Sequence, residues 1–148
     1  IASVFGSSQE RVHITYDRNH LHSVTHHNIS NPSLTTYDTF TYFKNNIVRW
    51  SAVLSGSTPD TRHYTYDHNH YNPLYFLADD LLAVFSGSRF EWEFFLGNEH
   101  VTTSKLYEQS QELVTYENYF DGKGRLIKKV FTEPSFTRPD SLTFEYVK

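Results

Sequence analysis

Cysteine and methionine are both missing from the 148 residues. Without cysteine there is no disulfide framework, no thiolate zinc site and no cysteine nucleophile. An excess of one charge is also missing. The 13 Lys and Arg stand against 17 Asp and Glu, a formal net charge of −4, and no large basic cluster occurs. Nucleic acid or an anionic membrane is therefore not expected as the main partner. No apolar run approaches the roughly 20 residues of a membrane-spanning helix. The six glycines are scattered, so no phosphate-cradling loop forms, and no Gly-x-Ser-x-Gly elbow occurs. The chain opens Ile1-Ala2-Ser3-Val4 with no basic-then-apolar leader. That start reads as a processed or trimmed product, with residues 1–10 expected as a flexible or trimmed linker to a single domain over 1–148.

What is abundant is aromatic: 11 Tyr, 12 Phe and 2 Trp. Many fall on a repeated unit, an alternating run that ends in aromatic-Asp, then a polar turn, then a second run. The unit appears as Val12-His13-Ile14-Thr15-Tyr16-Asp17, as Tyr64-Thr65-Tyr66-Asp67 and as Tyr119-Phe120-Asp121-Gly122-Lys123-Gly124. The spacings from Asp17 to Asp67 to Asp121 are 50 and 54 residues, too uneven for a strict solenoid. Alternation places Val12, Ile14 and Tyr16 on one strand face. The aspartate accepts backbone N–H bonds in the turn, and Asn19, Asn69 and Gly124 are the expected left-handed positions. Return strands are expected to start at Leu21, Tyr71 and Leu126.

Further strands are expected at Thr39–Phe43 and Ile47–Trp50 around a Lys44-Asn45-Asn46 turn, at Arg89–Phe95, at Val101–Tyr107 and at Leu142–Tyr146. Pro134 and Pro139 mark a loop or edge before the last of these. One segment has helical period: Asn72 and Pro73 suit a helix start, Leu74, Leu77, Leu81 and Phe85 form a stripe, and Gly87 ends it. The expected fold class is mainly β, an antiparallel sheet of successive hairpins with one short α-helix near 73–85.

The aromatic-Asp-turn unit resembles the tyrosine-aspartate (YD) repeat of Rhs-type and teneurin-type shells. The first two units carry Asn-His, at Asn19-His20 and Asn69-His70, where that repeat usually carries Gly. The order of elements, with Tyr64-Thr65-Tyr66-Asp67 followed by Asn72-Pro73-Leu74-Tyr75, is similar to uncharacterised β-rich secreted lipoproteins of gut Bacteroidetes. The resemblance covers roughly residues 10–148 and implies an exported, periplasmic or cell-surface protein with a lipid anchor on a removed N-terminus. It implies no activity and no catalytic residue.

The nine histidines are the first candidates for chemistry. His20 and His22, like His68 and His70, share a strand face at i, i+2, with His26-His27 nearby. If the units adjoin, His20, His22, His68 and His70 could gather imidazoles for zinc, nickel or copper. Exposed turn histidines are the plainer expectation, and no cofactor is expected. Glu91 and Glu93 lie about 7 Å apart on one strand face, compatible with a glycosidase pair. Phe90, Trp92 and Phe94 on the other face make them the solvated side of a half-buried strand, and Asp79-Asp80 diverge on the helix. The run Lys123, Arg125, Lys128, Lys129 reads as a solvated face. Aromatic residues at element ends, Tyr37, Tyr71 and Tyr75, together with Trp50, are the candidates for a glycan or peptide platform. The expected function is an exported surface-binding or interaction module rather than an enzyme, the alternatives being a histidine metal site or a glycan-active hydrolase.

Overall fold

The computed structural model describes residues 2–5, 10–73, 99–132 and 140–146. Ten strands form one sheet whose spatial order is the chain order. They are β1 (Ala2–Phe5), β2 (Glu10–Asp17), β3 (His20–Asn28), β4 (Thr36–Phe43), β5 (Asn46–Leu54), β6 (Asp60–Tyr71), β7 (His100–Tyr107), β8 (Leu113–Phe120), β9 (Leu126–Thr132) and β10 (Asp140–Thr143). Every neighbouring pair is antiparallel. A short 3₁₀ turn, Pro32–Leu34, joins β3 to β4. The mainly β, antiparallel architecture follows from the alternating runs. Apart from Pro73, the helix expected near 73–85 lies outside the described residues, as do Tyr75 and the strand expected over Arg89–Phe95. Residues 2–5, expected as part of a linker, instead form β1 and pair with Arg11–Ile14 of β2.

The hairpins obey a rule that simple alternation does not contain. Register shifts fall between Thr15 and Tyr16, Thr41 and Tyr42, Thr65 and Tyr66, and Tyr119 and Phe120. In each case the partner strand carries one extra residue, so its core-facing positions are three apart rather than two. Those pairs are Leu21 and Val24, Ile47 and Trp50, Thr102 and Lys105, and Leu126 and Lys129, and all eight side chains are buried. The aromatic after each shift stands opposite the first member: Tyr16 faces Leu21, Tyr42 faces Ile47, Tyr66 faces Thr102 and Phe120 faces Leu126. A Thr-Tyr dipeptide at 15–16, 41–42 and 65–66 marks the shift three times.

The core lies on one face of the sheet and centres on Ile14, Leu21, Val24, Phe40, Ile47 and Trp50, continuing through Tyr64, Val114 and Tyr116. It is unusually polar. Lys105 and Lys129 occupy core positions with their ammonium groups 4.7 Å from the Tyr107 and Tyr116 ring centres, a geometry in which ring faces attract the cation. The run Lys123 to Lys129 is therefore not one solvated face, because Lys129 is buried. The opposite sheet face carries exposed Tyr37, Thr39, Arg49, Glu117 and Lys128.

Turn geometry also departs from expectation. Gly124 does adopt positive φ, at 74°, but in the first hairpin the left-handed residue is Arg18, at 56°, and not Asn19. The second unit is not a hairpin. β6 runs on to Tyr71 and pairs with β7, and His68, Asn69 and His70 bulge out between Asp67 and Tyr71.

Candidate functional site

The Asp67 bulge and the Asp121 turn face one another across a cleft of about 450 Å³. On the first wall, Asp67 Oδ1 accepts the Asn69 backbone N–H at 2.9 Å and Oδ2 meets His70 Nδ1 at 2.7 Å. Burial works to raise the Asp67 pKa, but the hydrogen bonds from Asn69 and His70 outweigh it and hold the carboxyl below its usual value. The His70 ring stacks on Phe120 with centres 3.7 Å apart, tying this wall to the second hairpin. Tyr71 is 67% exposed and stacks on His100 at 5.2 Å. His100 is fixed in turn by buried Asn46, whose Oδ1 accepts its backbone N–H at 2.8 Å and whose Nδ2 lies 3.1 Å from Nδ1.

On the second wall, Asp121 Oδ1 accepts the backbone N–H groups of Lys123 and Arg125 at 2.8 and 2.9 Å. Its Oδ2 pairs with the Arg125 guanidinium at 2.7 Å. The Arg125 backbone N–H, then its side chain, then the Lys123 N–H lower the Asp121 pKa. Arg125 lies 4.4 Å from the Tyr146 ring centre, and the Tyr146 hydroxyl donates to the Leu126 carbonyl at 2.9 Å. Burial pushes the Tyr146 phenol up against the opposing pull of Arg125. The cleft thus offers two ring faces, one lysine, one guanidinium and the Asn69 amide, a set able to stack on a ligand and hydrogen-bond its rim.

Of the aromatic candidates, Tyr71 belongs to this cleft. Tyr37 is exposed on the opposite sheet face, where it pairs across to Thr25 and Val53, and Tyr75 lies outside the described residues. Trp50 is not a platform: it is 3% exposed, tilts against Phe40 at 5.4 Å and donates Nε1–H to Asp38 Oδ1 at 2.8 Å. It reaches the core because the three-residue step from Ile47 turns it inward.

The histidines are distributed rather than gathered. His20 stacks on Tyr42 at 4.5 Å and His68 sets its edge to His100 at 5.0 Å, while His22 is exposed on β3. β3 and β6 have two strands between them in the sheet. Among the described residues, no three His, Asp or Glu side chains are placed to hold a metal ion.

In the sequence Arg125 and Lys123 belong to a basic run that reads as one surface, and Tyr146 reads only as part of the last alternating run. Asp38 shares parity with Phe40 and Tyr42. A charged residue on the apolar face of an alternating strand is the available signal there.

These features define an antiparallel β-meander with a polar-aromatic core and a cleft between two turns. No family model matches the chain and no curated protein matches it. Among solved structures it is similar to a porin-like protein from Bacteroides uniformis, with a TM-score of 0.57 and 12% identity over 89% of this chain. The match takes in 58% of that protein, so the chain spans under two thirds of its length. At this identity the likeness shows a shared fold.

Proposed function

We propose that the chain is an exported binding module of a bacterial envelope that holds a glycan in the cleft between the Asp67 bulge and the Asp121 turn. The observation that carries this reading is Tyr71. This tyrosine is two-thirds exposed, and it is braced from behind by His100, which Asn46 holds in place. Rigid ring faces bind sugar C–H surfaces with little loss of side-chain freedom. Asn69 and Lys123 supply the hydrogen-bonding rim. The resemblance to secreted β-rich lipoproteins and the porin-like neighbour support an envelope setting. Charged Arg49, Glu117 and Lys128 on the face opposite the core favour a place at the membrane surface, since a lipid-facing band is apolar. Among the described residues no convergent catalytic set lines the cleft, and binding is the role proposed.

A glycan array probed with the wild-type chain and with Tyr71→Ala tests this. The expected result is retention of a defined glycan class by wild type and a loss of at least tenfold in Tyr71→Ala at unchanged melting temperature. Equal binding by both proteins, or no retained glycan, would overturn the reading. Cell fractionation of the tagged protein tests the envelope setting, and a cytosolic pool alone would count against it.

A further inference from the structure

A second hollow lies on the core face, away from the cleft. Asp38, Ala52 and Asp60 stand directly opposite one another on β4, β5 and β6. Adjacent strands lie about 4.8 Å apart, so the two aspartate backbones flank the Ala52 methyl at about 10 Å from each other. The small floor leaves a space of about 300 Å³, with exposed Ser57 and Thr58 at its rim.

The next row is Trp50 and Arg62, cross-strand partners on β5 and β6. The guanidinium sits 5.0 Å from the Trp50 ring centre and pairs with Asp60 Oδ2 at 2.7 Å. Trp50 satisfies Asp38 Oδ1 at 2.8 Å. The other oxygen, Asp38 Oδ2, is buried with no hydrogen-bond partner among the described residues, in a residue only 1% exposed. A buried carboxylate oxygen without a donor is rare and costly. Among the described residues nothing supplies that donor, and a group entering the hollow can. Among the described residues lining the hollow, two acidic side chains face one guanidinium, with His26 also acting on Asp38 from β3. That favours a cationic donor over a neutral hydroxyl.

We propose that the hollow above Ala52 binds an alkylammonium group, which donates to Asp38 Oδ2 and lies within the field of Asp60. Its alkyl stem runs over Ala52 and Leu54 and leaves past Ser57 and Thr58. An ammonium is a compact charge with three donors, which suits a gap the width of one missing side chain. The site is distinct from the glycan cleft and stands or falls independently of it.

The Trp50 indole N–H, bonded to Asp38, is a built-in reporter. The chain has two tryptophans, so Trp92→Phe leaves one indole signal in a ¹H–¹⁵N spectrum. The probes are n-butylamine at pH 7, Nα-acetyl-lysine amide, and butan-1-ol as the neutral counterpart, at constant ionic strength. The expected result is a saturable shift with butylammonium, a tenfold or greater weakening in Asp38→Asn, and no saturable shift with butan-1-ol. A shift with Nα-acetyl-lysine amide as well identifies a lysine side chain of a partner as the source, whereas a shift with butylamine alone identifies a free amine. Equal response to butan-1-ol, unchanged affinity in Asp38→Asn, or no shift overturns the proposal. Should Asp38→Asn fail to fold, Asp60→Asn, whose side chain is 46% exposed, is the second variant. Its expected effect is a several-fold loss of butylammonium affinity, and unchanged affinity there also overturns the proposal.

Discussion

Trp50 donates its indole N–H to Asp38 at 2.8 Å across β4 and β5, and both residues are buried. Each holds the other's polar atom out of an unsatisfied state. Asp38→Ala and Trp50→Phe should each cost about 1–3 kcal/mol of stability, because each leaves one buried partner unpaired. The double variant Asp38→Ala with Trp50→Phe should lose less than the sum of the two single changes, the mark of direct coupling. Urea unfolding monitored by circular dichroism measures all three.

Asp38 also predicts a pH effect of defined sign. Burial, opposed by the Trp50 bond and by His26 and Arg62, raises its pKa above the ordinary 3.8. The folded state then holds a proton that the unfolded state releases. Its contribution is greatest below 3.8 and declines as pH rises from there through the raised folded value. Asp38→Asn should remove that decline, read as a flatter melting temperature against pH over the mildly acidic range.

Asp121 predicts the opposite slope. Its pKa is lowered, first by the Arg125 backbone N–H and then by the Arg125 side chain. The contribution is present above the ordinary value of 3.8 and is lost as pH falls through the lowered one. Asp121→Asn should flatten the acid limb of the unfolding curve and loosen the third hairpin, seen as faster amide exchange at Lys123 and Arg125.

Two neighbouring glycines separate backbone need from space. Gly124 has φ of 74°, whereas Gly122 does not adopt the left-handed region, and open space surrounds the Cβ position of both. Gly124→Ala should cost about 1–2 kcal/mol through backbone strain alone. Gly122→Ala should be nearly neutral. Thermal unfolding of the two variants compares them directly.

Core and surface hydrophobics should part in the same way. Ile47→Ala, at a fully buried position, should cost about 2–5 kcal/mol. Phe43→Ala, 60% exposed four residues earlier, should stay within about 0.5 kcal/mol. Chemical denaturation resolves a difference of this size.

Much of the fold was legible in the sequence. The strands around Asp17, Lys44 and Asp121 and the turns joining them follow from alternation and turn chemistry. The Asp-centred backbone bonds recur at Asp67 and Asp121. The bulge at each Thr-Tyr step was not legible, because a period of two assumes an unbroken strand. That assumption hides Phe40-Thr41-Tyr42-Phe43 as a member of the repeat, makes Trp50 read as a ligand contact and leaves Lys129 among the surface cations. The cleft was half legible. Tyr71 stood out as an aromatic at a strand end. Arg125 and Tyr146 become neighbours through tertiary pairing, in which the Ile127 carbonyl accepts the Phe144 N–H at 3.0 Å and the Leu126 carbonyl the Tyr146 hydroxyl.

The recurring bulge has a consequence for how such a chain can change. Because each shift closes within its own strand pair, the register of the next pair does not depend on how many units came before. A unit could be duplicated or deleted in the gene and leave its neighbours correctly seated. The ribbon's length would then be free to vary under selection, and its modular grammar would persist while the side chains that read a ligand drift.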